Sequence, residues 1–261
     1  MVVQSNRECD RVTVELPEGK GIVKMARIGI GNEKQFGLLL DALSSDIGCA
    51  HFHYKLLRAL QGSHDQYSEV FSSSPTFWFL TSQAHEDATL FRLGRVFDTQ
   101  KRALSLVNWL LTIKSNLHLF DEPNFRKRLS GNAFVDSLAE ASRKPDETEL
   151  DRDIASVADD VVVKKFIGIR HKYLAHRDPN LLLVGADLSW EDIEYLLDLA
   201  SRLFNKYTNF FAASVYSTTM AGQDDYKRVL DAIKDSIDSY KRAVQAEIKK
   251  QLGESWEEFS Q

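Results

Sequence analysis

The chain has 261 residues, with 33 Lys and Arg against 38 Asp and Glu, so its formal net charge at pH 7 is -5. This balance excludes a global basic field that recruits nucleic acid, and any nucleic-acid contact must come from a local patch. Hydrophobic residues make up 43% and charged residues 27%, which is typical of a globular protein with a sizeable core. The two cysteines, Cys9 and Cys49, are too few for a disulfide framework.

The beginning of the chain lacks the basic flank and apolar stretch of a signal peptide. No run approaches the ~18 consecutive apolar residues that a membrane span needs. The low cysteine content suits a reducing compartment. We therefore expect a cytoplasmic protein without a membrane partner, and the sequence gives no reason to expect a metal or other cofactor.

Residues 1–31 differ from the rest of the chain. Val12, Val14 and Leu16 alternate with polar residues, which is typical of a strand. Residues 17–21 predict a turn, and residues 22–28 predict a returning strand. Because a lone hairpin is marginal in water, this extension either packs on the rest of the protein, pairs elsewhere or stays mobile.

From residue 32 onward the apolar spacing is helical. Asn32 and Gln35 have capping-box spacing, which predicts a first helix ending near Gly62. A second long helix is expected to begin between residues 75 and 82 and to end at residue 98. The segment 101–115 is so apolar that we expect a helix at the centre of the core.

The second half of the chain predicts shorter helices and then two long ones. Short helices are expected to begin near residue 122 and to cover residues 134–141. A helix that begins at residue 161 is expected to end before Pro179, and Ser189 is expected to cap a helix that runs to residue 215.

Residues 224–252 form the last predicted helix. Its apolar stripe consists of Tyr226, Leu230, Ile233, Ile237, Tyr240, Val244 and Ile248. A rod of about 43 Å, at 1.5 Å per residue, either packs along the other helices or pairs with a partner helix. The sequence thus predicts an all-α fold in three parts: an extension over 1–31, a helical bundle over 32–216 and a C-terminal helix over 217–261.

The chemistry of the chain concentrates in the run 169–178, Ile-Arg-His-Lys-Tyr-Leu-Ala-His-Arg-Asp. Arg170 can hold a phosphate in a planar fork, and His176 can take or give a proton near neutral pH. On a regular helix these two side chains project about 120° apart, so they meet at one phosphate only if the helix loosens or a second protomer contributes. On spacing alone, a solvated helix end explains the run better than a site does.

The sequence of this run resembles the signature of the HEPN superfamily. That signature is an arginine, then Asn, Asp or His, then four residues and a histidine. Arg170, His171 and His176 occupy those positions. Over its full length, residues 169–178, the run is similar to the corresponding segment of the AbiU-like abortive-infection branch. The segment 91–98, Phe-Arg-Leu-Gly-Arg-Val-Phe-Asp, followed by Ser-Leu-Val at 105–107, resembles the stretch upstream of the motif in that branch. The resemblance covers residues 82–215.

The resemblance implies an HEPN-type helical bundle with long antiparallel helices that forms a homodimer and brings two motifs together around a cleft. Many such proteins are metal-independent endoribonucleases, often toxins of toxin–antitoxin or phage-defence systems, whereas others only bind RNA, a nucleotide or a protein. A cognate antitoxin or nucleotidyltransferase is an implied partner. One toxin branch carries a tyrosine, two positions after the motif histidine, that a nucleotidyltransferase modifies; this chain has Asp178 there.

In the corresponding mechanism, His176 removes the proton of a ribose 2′-hydroxyl, Arg170 stabilises charge on the phosphate, and His171 or a partner's histidine protonates the leaving oxygen. The basic side chains expected to hold flanking RNA phosphates are Lys164, Lys165, Lys172 and Arg177. The residues expected to support the site are Asp178, which can orient an imidazole, Tyr173, which can stack on a base or pack in the core, and Arg95 and Asp98, which can brace the motif or form surface ion pairs.

Other patterns are weaker. Cys49 and His53 share a helix face, but no further ligand pair is evident, so we expect a helix surface and not a metal site. Two rivals to the ribonuclease reading stay open. One is an HEPN module that binds without catalysis, and the other is a helical interaction protein whose functional part is the terminal rod.

Overall fold

The computed structural model describes residues 25–140, 143–170 and 188–252. Within these ranges every regular element is helical, so the all-α prediction is confirmed. The first helices are α1 (Glu33–Gly62), α2 (Ser68–Ser73), α3 (Pro75–Val96) and α4 (Leu106–Lys114). After a 3₁₀ turn at Leu117–Phe120, they continue as α5 (Glu122–Arg128), α6 (Val135–Glu140), α7 (Glu147–Ala158), α8 (Val161–Ile169), α9 (Trp190–Ala212) and α10 (Asp225–Leu252).

The described helices divide into two compact units. The first unit takes the chain up to residue 50 and residues 90–218, and the second takes residues 51–89 and the chain from residue 219 onward. Helices α1 and α3 contribute residues to both. The three-part division at residues 31/32 and 216/217 stays a prediction.

The core of the first unit surrounds α4. Leu106, Trp109, Leu110 and Ile113 are fully buried, as expected for its dense apolar sequence. The Trp109 ring stacks on Phe36 of α1 at 6.1 Å between ring centroids, and it packs at a tilt against Phe204 of α9 at 5.3 Å. The helix begins later than the predicted residue 101, because the Ser105 side chain accepts a hydrogen bond from the Asn108 amide and fixes the N-terminus there.

Residues 25–31 lie beside α4 in the first unit. The amides of Ala26 and Ile28 donate to Asn108 Oδ1 at 3.0 Å and to Thr112 Oγ1 at 2.8 Å. The two amides are two residues apart on an extended segment, and their acceptors are four residues apart on one face of the helix. The strand predicted over 22–28 is therefore absent from its described part, residues 25–28, because helix side chains satisfy those amides. Residues 1–24 lie outside the described residues, so the rest of the hairpin stays a prediction.

Helix α7 of the first unit is absent from the predicted elements. The acidic run 146–160 contains three apolar residues at helical spacing that are buried, namely Leu150, Ile154 and Val157. Its acids contact basic and phenolic partners in α4 and α9. Asp151 pairs with Lys114 at 2.5 Å, and Asp153 accepts from the buried Tyr207 hydroxyl at 2.8 Å. Both burial and Asp153 raise the pKa of Tyr207 far above its ordinary value, so this phenol stays a donor.

The second unit has its own small core. Tyr67, Val70 and Phe71 pack against Leu230 of α10, and Trp78, Tyr226, Ile233 and Ile237 surround them. The N-terminal half of the predicted stripe on α10 therefore contacts α2, which sequence analysis did not identify as a helix. Farther along α10, Tyr240 is 72% exposed and Val244 is 37% exposed.

Candidate active site

Arg170 lies directly after α8, where it forms the C-cap with helical dihedral angles. Asp160 caps the other end of the helix and accepts a hydrogen bond from the Val163 amide at 2.9 Å. The buried face of α8 carries Val163 and Phe166, and the Phe166 ring meets Phe97 edge-on at 6.3 Å between centroids. This packing holds the end of α8 against the end of α3. The spacing of Val162, Phe166, Ile169 and Tyr173 predicts one core face. Of its described members Phe166 is buried, whereas Val162 and Ile169 are only half-buried.

The guanidinium of Arg170 is fixed by Asp98, which follows α3. Arg170 Nη2 donates to Asp98 Oδ2 at 2.8 Å, with the two side chains only 23% and 12% exposed. The second carboxylate oxygen of Asp98 accepts from the Gln100 amide at 2.9 Å. Because both oxygens are used, the carboxylate has one orientation and holds the guanidinium in one place.

Asn108 anchors the turn that carries Asp98. Its amide nitrogen donates to the carbonyl oxygens of Gln100 and Ala103, both at 2.9 Å, and its side chain is fully buried. The support of Arg170 thus extends through Asp98 and Gln100 into the core of the first unit. The signal that could have identified Asn108 from the sequence is a lone amide in an otherwise apolar helix.

Within the described part of the chain, one nitrogen of the Arg170 guanidinium has no hydrogen-bond partner. This atom, Nη1, is buried. A buried charged donor without a partner costs more than an ordinary unmade hydrogen bond, typically above ~1–3 kcal/mol. Such a group fits a site whose ligand supplies the missing acceptor.

Helix α3 itself carries two arginines, Arg92 and Arg95, which pair with Asp46 instead of Asp98. Arg92 Nη1 donates to Asp46 Oδ1 on α1 at 2.7 Å, and Arg95 Nε forms an ion pair with Asp46 Oδ2 at 3.1 Å. Asp46 is 3% exposed, and its hydrogen bond raises the pKa of Arg92. Of the two predicted supporting residues near the end of α3, Asp98 pairs with Arg170 and Arg95 pairs with Asp46. The sequence analysis did not single out Asp46. Its signal in the sequence is an acidic residue on the apolar face of the predicted first helix.

The two described lysines of α8 contact carboxylates. Lys164 lies 3.2 Å from Asp159, with both side chains about half exposed. Lys165 lies 2.8 Å from Asp192 on α9 and lowers the pKa of that carboxyl. An RNA phosphate would therefore compete with these acids for the lysines.

The remaining predicted site residues lie outside the described residues. They are His171, Lys172, Tyr173, His176, Arg177 and Asp178. Their roles, and the distance from Arg170 to either histidine, stay predictions. The structure brings together Arg170 and Asp98, and it places Lys164 and Lys165 on α8, the helix that ends at Arg170.

The histidines of α1 lie in another setting. His53 Nδ1 lies 2.8 Å from Nδ1 of His85 on α3, within the second unit. Among the described residues there is no group of three or more His, Cys, Asp or Glu side chains that could hold a metal ion.

The chain fits the HEPN class of helical proteins in its fold and its motif arginine. A family model of that class, described as AbiU2, matches residues 33–232, from the start of α1 into α10. Since this match covers most of the chain, the protein belongs to the AbiU2 family of HEPN proteins and is a module of an abortive-infection family. Neither the curated proteins nor the solved structures include a significant match.

The family match is wider than the segment 82–215 that carries the motif resemblance, and it leaves out residues 1–32. Among the described helices, not one combines the length and the apolar character that crossing a membrane requires.

Proposed function

We propose that this protein is a metal-independent endoribonuclease of an abortive-infection or toxin–antitoxin system and acts as a homodimer. The observation that carries the proposal is the state of Arg170. Its guanidinium is held by Asp98, and Nη1 is left buried without a partner among the described residues. A positioned donor of this kind is suited to a phosphate oxygen, because no reorganisation is needed when charge develops there.

The reaction uses the 2′-hydroxyl of the RNA as nucleophile. His176 removes its proton, O2′ bonds to the adjacent phosphorus, and the bond from phosphorus to O5′ breaks. Arg170 stabilises the negative charge on the non-bridging oxygens. His171, or a histidine of the second protomer, gives a proton to the leaving O5′. The products are a 2′,3′-cyclic phosphate and a 5′-hydroxyl end.

The test is cleavage of single-stranded RNA in EDTA by the wild type and by His176→Ala and Arg170→Ala. We expect each substitution to lower the cleavage rate by about 100-fold or more. An otherwise identical DNA strand should stay intact because it lacks the nucleophile. His118→Ala and Arg242→Ala, which alter exposed side chains of the 3₁₀ turn and of α10, serve as matched controls and should cleave normally.

Two results decide against this proposal. Equal cleavage by the wild type and His176→Ala would assign the activity to another site or to a contaminant. RNA binding that Arg170→Ala weakens, without cleavage by the wild type, would identify the protein as a non-catalytic HEPN module.

A further inference from the structure

Gly94 lies in the last turn of α3 and is buried. Its φ is not in the left-handed region, since the described glycines with positive φ are Gly131 and Gly222. The backbone therefore does not require glycine at this position. Inside a helix glycine is unfavourable relative to alanine, because it loses more conformational freedom on folding. Some other constraint has to explain its presence.

The side chain of Arg170 crosses α3 at Gly94. A Cβ built on Gly94 would lie 3.2 Å from Arg170 Nε, 3.3 Å from Cδ and 3.5 Å from Cγ. The first two separations are tighter than most real Cβ contacts, so even a methyl group would push the arginine stem outward by a few tenths of an ångström. Gly37, which lies in α1, has nothing within 4 Å of the same construction.

Asp98 lies four residues after Gly94, just past the end of α3. The arginine stem therefore contacts α3 at Gly94, and its Nη2 reaches the carboxylate one turn later. Because the 2.8 Å bond to Asp98 fixes the far end of the side chain, a displacement at Gly94 tilts the guanidinium and does not simply translate it. Because Nη1 is bonded to the same planar Cζ as Nη2, a tilt of the guanidinium changes the direction in which Nη1 points.

We propose that Gly94 is a positioning residue for Arg170. The missing Cβ allows the arginine stem to lie against α3, so that Asp98 takes Nη2 and Nη1 is directed to the scissile phosphate. The catalytic part of this proposal rests on the proposed ribonuclease function, whereas the packing part does not.

The packing part is tested by thermal unfolding of four proteins: the wild type, Gly94→Ala, Arg170→Ala and the double variant. In the Arg170→Ala background the alanine methyl has room, so Gly94→Ala should raise the Tm by about 1–3 °C through helix propensity. In the wild-type background the same substitution should lower the Tm, because the methyl group meets the arginine stem. Gly37→Ala should raise the Tm in both backgrounds.

Four outcomes are informative. A change of sign between backgrounds supports the proposal, as does a Gly94→Ala protein that folds only when Arg170 is also replaced. A Gly94→Ala substitution that raises the Tm equally in both backgrounds overturns it. A substitution that lowers the Tm equally in both also overturns it, because the conflict would then involve other atoms.

The catalytic part is tested by steady-state RNA cleavage. Gly94→Ala should lower kcat by about 10-fold or more while KM changes little, because binding by flanking phosphates is retained. In an Arg170→Ala background it should have no further effect. Normal kcat in Gly94→Ala, with the sign change in Tm still present, would restrict Gly94 to packing. If the wild type does not cleave RNA, the unfolding experiment still decides the packing part.

Discussion

His53 and His85 form a contact whose strength depends on pH. With their Nδ1 atoms 2.8 Å apart, one ring must donate and the other must accept, so the pair cannot hold a proton on both atoms. Burial, and secondarily the neighbouring His53, lower the pKa of His85 from its ordinary value of 6.5. The unfolded chain therefore binds more protons than the folded chain between pH 6.5 and that lower value, and stability falls as the pH falls through this window.

We expect the urea midpoint of the wild type to drop between pH 7.5 and 5.5, and the drop to be smaller in His85→Asn. The asparagine keeps a polar atom near His53 but does not titrate. The difference should be on the order of a few tenths of a molar, since the pair is half-buried. His118→Asn, at an exposed position, should keep the full wild-type drop. An equal drop in His85→Asn and the wild type would contradict the role of this pair.

Two of the predicted site residues lie together in the structure. The motif pointed to Arg170 and the upstream segment 91–98 to Asp98, and their side chains lie 2.8 Å apart, whereas their catalytic and supporting roles stay predictions. Gly94 and Asn108 were not singled out, because their roles depend on which distant atom lies beside them. A glycine inside a helix and a lone amide in an apolar run are visible in the sequence, but the atoms that they contact are known only from the fold.

Helix α8 is held at its N-terminus by Asp160, which makes two different contacts. Oδ1 accepts from the Val163 amide at 2.9 Å, and Oδ2 accepts from the hydroxyl of Tyr195 on α9 at 2.6 Å. The first contact satisfies an amide that has no partner within the helix. The second ties α8 to α9 and raises the pKa of Tyr195. Arg170 lies at the other end of this helix, so its position depends on both contacts.

Removing the Asp160 side chain should lower the free energy of unfolding more than removing the Tyr195 hydroxyl alone. We expect Asp160→Ala to lower the free energy of unfolding by about 1–2 kcal/mol, since a lost N-cap costs about 1 kcal/mol and the tyrosine also loses its acceptor. Tyr195→Phe should cost less than about 1 kcal/mol, because the side chain is 43% exposed and water replaces the carboxylate. Chemical unfolding of both variants measures the difference. An equal cost for the two variants would assign the effect to the tie alone.

Elements with clear end signals were predicted well. Asn32 accepts from the Gln35 amide at 3.0 Å, and Ser189 and Asp192 form a complete capping box at the start of α9. Helices α2 and α7 were missed for physical reasons. The first has six residues and is stabilised mainly by packing on α10, whereas the second shows three apolar positions among many acids. Such helices depend on tertiary contacts that a local pattern does not contain.

The charge of the whole molecule opposes RNA binding at long range. At a net charge of -5, attraction must come from a few cations near the motif, and the two described on α8 already have carboxylate partners. The number of phosphates that the protein neutralises should therefore be small. For single strands, log Kobs falls with log salt with a slope of about -0.7 per neutralised phosphate. Contacts from Arg170 and its four flanking cations then limit the slope to about -3.5 for each protomer that contacts the strand.

Substitution of Lys164 and Lys165 by Gln tests whether they contribute to this slope. If both release their acids and bind phosphates, the double variant should have a slope shallower by about 1.4 and weaker binding at low salt. The double variant Lys114→Gln/Lys241→Gln is the matched control, because it removes the same charge and two other surface ion pairs. Binding is measured with a 2′-deoxy strand, which cannot be cleaved, across a range of salt concentrations. A slope that is the same in both double variants would show that the α8 lysines stay paired with Asp159 and Asp192 and do not contact the nucleic acid.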